Sequence, residues 1–275
     1  MGARARAAGG RQPRLLGRER LQRSRRPLAG RAIRVISTSN SWFTGRLVRA
    51  RALTSSARSL TFAVPGWPGN AAGQHVDVRL SAPDGYQAVR SYSVASVGAG
   101  DEIELAVDRL PDGEVSPFLV DEIEIGDAVE IRGPVGGWFV WRPEQTPPVQ
   151  LIAGGSGVVP LVAMMRAHAE SGSTVPMQLL YSLRTPEDAF FADELSESSG
   201  AMRTVWHYTR TASPAEKRPP GRLMRTDLER DTIAPELSPL IYICGSTGFV
   251  ETVTRALLEL GHRADSIRTE RFGGI

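Results

Sequence analysis

Up to about position 145 the chain alternates apolar and polar residues in short runs. Val76, Val78 and Leu80 share one face of HVDVRL, Ile103, Leu105 and Val107 share one face of EIELAVD, and Val129 and Ile131 follow in AVEIR. A period of two marks half-buried β-strands. Turn signals separate the runs: Pro65-Gly66, Pro83-Asp84-Gly85, Pro111-Asp112-Gly113 and Gly126-Asp127. Short strands at this spacing predict an antiparallel β-barrel or sandwich. A short helix is expected over 116–122, with Ser116 as its cap and Pro117 at the first helical position.

After Pro147-Pro148 the rhythm changes to strand followed by helix. VQLIAGG, MQLLYSL, MRTVWHYT and PLIYICG read as buried strands, and SIRTERF as a fifth near the end. Helical patterns are expected over 158–170, 189–195, 222–230 and 247–260. This alternation predicts a doubly wound α/β domain around a parallel sheet. The expected division is residues 1–40 outside the fold, 41–145 as the β-barrel domain and 146–275 as the α/β domain. Residues 211–221, rich in Pro and charge, read as a surface loop.

Composition narrows the chemistry. Cys244 is the one cysteine, so an intramolecular disulfide is impossible and a four-thiolate iron–sulfur cluster cannot be held by this chain alone. The four histidines offer no metal-ligand spacing, and no metal site is expected. Residues 1–34 carry eleven arginines and one acid, a net +10 within a chain of net +3, so the rest carries net −7. This stretch reads as a solvated basic tail or a mis-assigned start, and no nucleic-acid partner is expected from it. Arg25-Arg26 lacks a following apolar segment, and no apolar run reaches the ~20 residues that span a bilayer. A cytoplasmic protein without a membrane span is expected.

Ligands of open α/β sheets bind beyond the carboxyl ends of the strands. That rule singles out Gly154, Gly155, Ser156, Gly157 and Pro160 after one strand, and Cys244 and Gly245 after another. Bare backbone at a helix N-terminus suits a pyrophosphate, although the same glycines suit a tight strand–helix turn. Cys244 alone also fits a small buried strand-end residue. In Arg90-Ser91-Tyr92-Ser93, alternation puts Arg90 and Tyr92 on one face and Ser91 and Ser93 on the other. A guanidinium suits a diphosphate and an aromatic ring suits a flat cofactor; the tetrapeptide also fits an ordinary polar strand. Arg184 and Arg210 end two strands, where a solvated arginine and a ligand for a nucleotide 2′-phosphate are both reasonable.

Taken in order, RSYSVAS, DGEVSPFL, RGPVGGWFVW, LIAGGSGVVPL, YSLRTPED, YICGSTGFVE and TERFG resemble the motifs of the ferredoxin–NADP reductase superfamily over about residues 42–273. The chain looks most like bacterial FAD-binding reductases that serve ferredoxins and oxygenases. The resemblance implies FAD held by Arg90 at phosphate, with Tyr92 packed on the ring and Ser91 in the same segment. It places Ser93 near the ring nitrogen N5. Gly113, Val115 and Ser116 would hold the FAD pyrophosphate, with Glu114 standing where relatives often keep a small residue. Gly154–Gly157, Pro160, Cys244 and Gly245 would bind NADPH or NADH, with Arg184 and Arg210 tilting the choice slightly to NADPH. Glu270 and Phe272 would lie near the ring, Phe272 shielding the face opposite Tyr92. The implied activity is hydride transfer from NAD(P)H to FAD, then electron transfer to a ferredoxin or an oxygenase iron–sulfur component. Alternatives are a flavin or quinone reductase acting on small molecules, or a non-catalytic FAD-binding redox-sensing subunit.

Overall fold

The computed structural model describes residues 41–197, 200–212 and 218–272. The expectation for residues 1–40, and part of the 211–221 loop, lie outside these residues.

Six strands form the first sheet: β1 (Trp42–Ala52), β2 (Ala57–Ala63), β3 (His75–Ser81), β4 (Gln87–Ser93), β5 (Glu102–Asp108) and β6 (Ala128–Val135). Their order is β4-β3-β6-β1-β2-β5, and every pairing is antiparallel. A bridge between Val94 and Leu105, with the Ala95 N–H donating to the Glu104 carbonyl at 2.8 Å, joins the two edges into a barrel. Closure removes the exposed edges that an open sheet would carry. The alternation in the sequence decides which side chains enter: Val76, Val78, Ile103, Leu105 and Ile131 are fully buried. Asp77 and Arg79 point the other way and pair with Arg132 and Glu130, whose strand neighbours theirs. The Trp42 ring receives both guanidinium groups, at 4.1 and 4.9 Å.

The helix expected at 116–122 is a single helical turn, Phe118–Glu122, that buries Leu119. Ser116 does not cap it. Its hydroxyl instead accepts from the Leu110 N–H at 3.1 Å, closing the turn that precedes the helix.

The second sheet is parallel: β7 (Val149–Gly154), β8 (Met177–Leu183), β9 (Met202–Tyr208), β10 (Leu240–Ser246) and β11 (Ile267–Phe272), in the order β11-β10-β7-β8-β9. Its helices are α1 (Val159–Ser171), α2 (Ala192–Ser196), α3 (Arg225–Asp231) and α4 (Thr247–Glu259). Leu151, Leu179, Tyr242 and Cys244 pack with α1 residues on one face; Ile152, Leu180, Ile241 and Ile243 pack with α3 and α4 on the other. A sheet covered on both faces is the doubly wound arrangement. None of the helices among the described residues is long and apolar enough to cross a membrane.

Two helices are shorter than the sequence pattern predicts. Phe190 and Phe191 are buried before α2, and Phe191 has φ +56°, a left-handed conformation that ends any helix there. Its ring lies beneath Arg166 and Arg51, at 4.9 and 5.4 Å. In α3 the extended Met224 sets the start, and the Asp227 carboxylate accepts the Met224 N–H at 2.9 Å.

Arg166 of α1 ties the two sheets together. It donates to Glu104 at 2.6 Å and to the Ala95 carbonyl at 3.1 Å on the barrel side, and to both oxygens of Glu194 at 2.7 Å.

Candidate functional site

The carboxyl-terminal half of β11 meets the start of β3, where Glu270 approaches His75. β7 stops at Gly154, a 3₁₀ turn runs Gly155–Val158, and α1 begins with Val159-Pro160. The glycines here have different reasons. A Cβ on Gly157 would lie 2.3 Å from the Cys244 carbonyl oxygen, so the turn packs backbone to backbone against β10. A Cβ on Gly154 or Gly245 would lie 2.8 or 2.9 Å from the Phe249 ring. Gly155 has φ +54° and open space around it, so the backbone conformation alone calls for glycine.

Neither α1 nor α4 has a side-chain cap or an acidic residue in its first turn. At α1 the Val159 N–H is taken by the Ser156 carbonyl and Pro160 has none, so what both helices offer an anion there is the positive end of the dipole without a competing side chain. Ser156 is half-buried within the turn and Pro160 is buried.

Four side chains converge from four strands. Parallel register sets Cys244 on β10 beside Glu270 on β11. The Glu270 Oε1 lies 3.7 Å from Nδ1 of His75, the first residue of β3. His75 is the cross-strand partner of Ser93, the last residue of β4. Ser93 Oγ and Glu270 Oε2 are buried, and neither has a hydrogen-bond partner among the described residues. A buried polar atom without a partner costs free energy, so two in one cluster point to a ligand.

Burial sets the protonation here. It pushes the Glu270 carboxyl up to about 7. It raises the Cys244 thiol well above its ordinary range, and the nearby Glu270 adds to this, so the thiol stays protonated at neutral pH. It lowers the His75 imidazole, against the opposing pull of Asp77. His75 and Glu270 are thus each driven toward the neutral form, and at 3.7 Å they are a close contact without hydrogen-bond geometry.

The remaining predicted residues lie around this cluster. Tyr92 is half-buried, its hydroxyl pushed up to about 12 by burial against a smaller opposing effect of Arg90. The Ser91 hydroxyl donates to Asp77 at 2.6 Å, which occupies it on the outer face of the barrel. Arg90 is exposed and donates to Glu114 at 2.6 Å. Gly113, Val115 and Ser116 form the tight turn after β5, with Val115 fully buried. Phe272 ends β11 in register with Ser246 and is half-buried. Arg184 and Arg210 stand apart, beyond β8 and β9, linked by the Arg210 N–H donating to the Arg184 carbonyl at 2.9 Å.

His75 is the residue that sequence reasoning missed. Its signal lies in the hairpin: a turn centred on Asp84 pairs Ser81 with Gln87, and continuing that register brings His75 opposite Ser93.

A barrel beside a doubly wound sheet, with a polar cluster and glycine turn where they meet, defines a two-domain nucleotide-cofactor protein. Sequence profiles agree: one described as Oxidoreductase FAD-binding domain matches residues 44–140, and one described as Oxidoreductase NAD-binding domain matches residues 151–255. The chain belongs to the ferredoxin–NADP reductase superfamily.

The reductase component of propane 2-monooxygenase from Mycolicibacterium smegmatis is 28% identical over 185 residues, covering 65% of this chain and 52% of that protein. Methane monooxygenase component C from Methylosinus trichosporium is 35% identical over 161 residues, covering 58% and 44%. The chain spans about half the length of these curated relatives. Among solved structures, the ferredoxin reductase in carbazole 1,9a-dioxygenase is 26% identical with a TM-score of 0.72, covering 85% of this chain and 70% of that one. A ferredoxin NADP+ reductase from Neisseria gonorrhoeae with bound FAD and NADP shares the fold at 22% identity and a TM-score of 0.73, covering 85% and 99%.

Proposed function

We propose that the protein is an NAD(P)H-dependent flavoprotein reductase that delivers electrons to a separate iron–sulfur protein, either a ferredoxin or an oxygenase component. The observation that carries this reading is the Ser93–His75–Glu270–Cys244 cluster, whose two unpartnered buried oxygens lie where the two sheets meet.

Bound FAD supplies a ring that takes up a hydride and releases electrons one at a time. Arg90 would hold phosphate, the turn containing Gly113, Val115 and Ser116 would support the pyrophosphate, and Tyr92 would pack on the ring. Ser93 would offer its free hydroxyl to the ring edge. Gly154–Gly157 and the α1 N-terminus would hold the nicotinamide dinucleotide, with Cys244 and Gly245 beside the nicotinamide. Phe272, at the last described strand position, would cover the ring and move aside for the incoming nucleotide. Glu270, poised near neutrality, holds or yields a proton at its Oε2 without leaving the buried cluster. His75, partly open to solvent, stands between that carboxyl and water.

Arg184 and Arg210 make no ion pair among the described residues. Two guanidinium groups beyond adjacent strands, without an ion pair among the described residues, favour NADPH through its 2′-phosphate. The cytoplasm, where NAD(P)H is generated, is the proposed compartment.

The partner assignment is tested by coupling NAD(P)H oxidation to reduction of a purified ferredoxin, with free FMN and a quinone as competing acceptors. Faster turnover with ferredoxin supports the reading. Turnover only with the small acceptors replaces it with a small-molecule reductase, and no turnover with any acceptor favours a redox-sensing subunit.

A further inference from the structure

The residue that departs from the superfamily pattern, Glu114, is bonded to the cation expected to take the FAD diphosphate. Strand β4 carries Arg90 opposite the buried Val78, with its guanidinium exposed, and the turn after β5 brings Glu114 next to it, 24 positions along the chain. One arm of the guanidinium donates to Glu114 Oε2 at 2.6 Å and the other to the Val89 carbonyl at 2.8 Å. The other carboxylate oxygen accepts from the Tyr86 hydroxyl. Tyr86 is itself placed by the β3–β4 turn, where its N–H donates to Asp84 Oδ1 at 3.0 Å. Glu114 is thus gripped at both oxygens, and the Tyr86 hydroxyl, aided by Arg90, holds its carboxyl below the ordinary range. It is an anion at neutral pH.

We infer that Glu114 is a latch on Arg90: it occupies the guanidinium in the absence of FAD, must release it before a diphosphate can bind, and so sets how tightly the flavin nucleotide is held. This inference rests on the reading of the barrel as the FAD domain. The chemistry is competition between two anions for one planar fork. A guanidinium satisfies a carboxylate or a phosphate through the same N–H donors, and the arm held by Glu114 cannot serve both. The pair is solvent-exposed, with side chains 51% and 44% accessible, so the latch opens readily. Exposed pairs of this kind are worth a factor of about two to five in an equilibrium.

The latch makes a prediction specific to phosphate. Glu114→Gln keeps the Tyr86 contact and the shape of the turn but removes the competing charge. FAD should bind this variant about three- to fivefold more tightly than wild type. Riboflavin, which has the ring and no phosphate, should bind both proteins equally. In an Arg90→Gln background FAD should bind more weakly, and adding Glu114→Gln should restore little.

The experiment is fluorescence titration of the apoprotein with FAD and with riboflavin, for wild type, both single variants and the double variant. Tightening of FAD alone, dependent on Arg90, supports the latch. Unchanged or weaker FAD binding by Glu114→Gln overturns it. An equal gain with and without Arg90 also overturns it, because Glu114 would then act only as a charge repelling the diphosphate. A wild type that binds no FAD sinks the flavin reading and the latch with it, whereas a wild type that binds FAD with an inert Glu114 sinks the latch alone.

Discussion

His75 Nδ1 stands 3.7 Å from Glu270 Oε1, which places the first residue of one barrel strand against the last strand of the parallel sheet. The two residues are 195 positions apart, and the contact exists only when both sheets are formed and docked. It also brings Ser93 and Cys244, each a register partner of one of the pair, into the same polar cluster.

The Glu270 carboxyl gives a pH signature. Its pKa is about 7 in the folded protein against an ordinary 4.5, because burial favours the protonated form. The folded state therefore binds this proton more tightly than the unfolded chain. The sign follows: Glu270 costs nothing below pH 4.5, destabilises progressively as pH rises toward 7, and levels off above. The cost at pH 8 is up to about 3 kcal/mol. Urea unfolding of the apoprotein at pH 5 and pH 8 should show Glu270→Gln gaining stability relative to wild type only at the higher pH. Parallel profiles for the two proteins would contradict the assignment. The comparison is needed because His75, with its lowered pKa, pulls in the opposite direction on acidification.

The two central glycines of the turn before α1 should fail differently. Gly157→Ala drives a Cβ into the Cys244 carbonyl at 2.3 Å, a backbone atom that cannot swing away. It should lose about 1–3 kcal/mol and weaken NAD(P)H binding as the turn shifts. Gly155→Ala meets no atoms and is penalised only by its φ of +54°, at about 1–2 kcal/mol. Thermal unfolding with NADPH titration separates the two: nucleotide binding should suffer in Gly157→Ala more than its stability loss explains.

Arg184 and Arg210 should act on the 2′-phosphate. The double variant Arg184→Ala/Arg210→Ala should raise KM for NADPH about tenfold or more and leave KM for NADH nearly unchanged. Equal effects on both nucleotides would place the arginines outside that subsite.

Arg166 should be the most costly surface-side residue to remove. Its side chain is 21% exposed and that of Glu104 is 16% exposed, so Arg166→Met takes the nearer cation from a largely buried carboxylate and leaves it the Ser59 hydroxyl and Arg51 at 3.5 Å. The expected loss is about 2 kcal/mol, partly recovered by adding Glu104→Gln. Denaturant unfolding of the two single variants and the double variant measures the coupling.

Much of this was legible because period-two runs and strand–helix alternation are local. The Val76-Val78 and Ile103-Leu105-Val107 faces entered the barrel core as their spacing implied, and the five parallel strands matched their apolar runs. The misses share a cause. AFFADEL has a helical pattern, but Phe190 and Phe191 are claimed by the interior and by Arg51 and Arg166 from distant segments. Ser116 looks like a cap, yet the Leu110 N–H takes its hydroxyl. His75 and the Arg166 tie depend on partners that only register and docking supply. The Arg90–Glu114 pair was half visible: the sequence marked Glu114 as a departure, and the structure shows what it touches.

The most direct measurement is anaerobic stopped-flow absorbance of the FAD-reconstituted protein mixed separately with NADPH and with NADH. The account predicts rapid bleaching of the flavin band near ~450 nm, faster at low nucleotide concentration with NADPH. A protein that binds FAD and is bleached by neither nucleotide, or one that cannot be reconstituted with FAD, would contradict it.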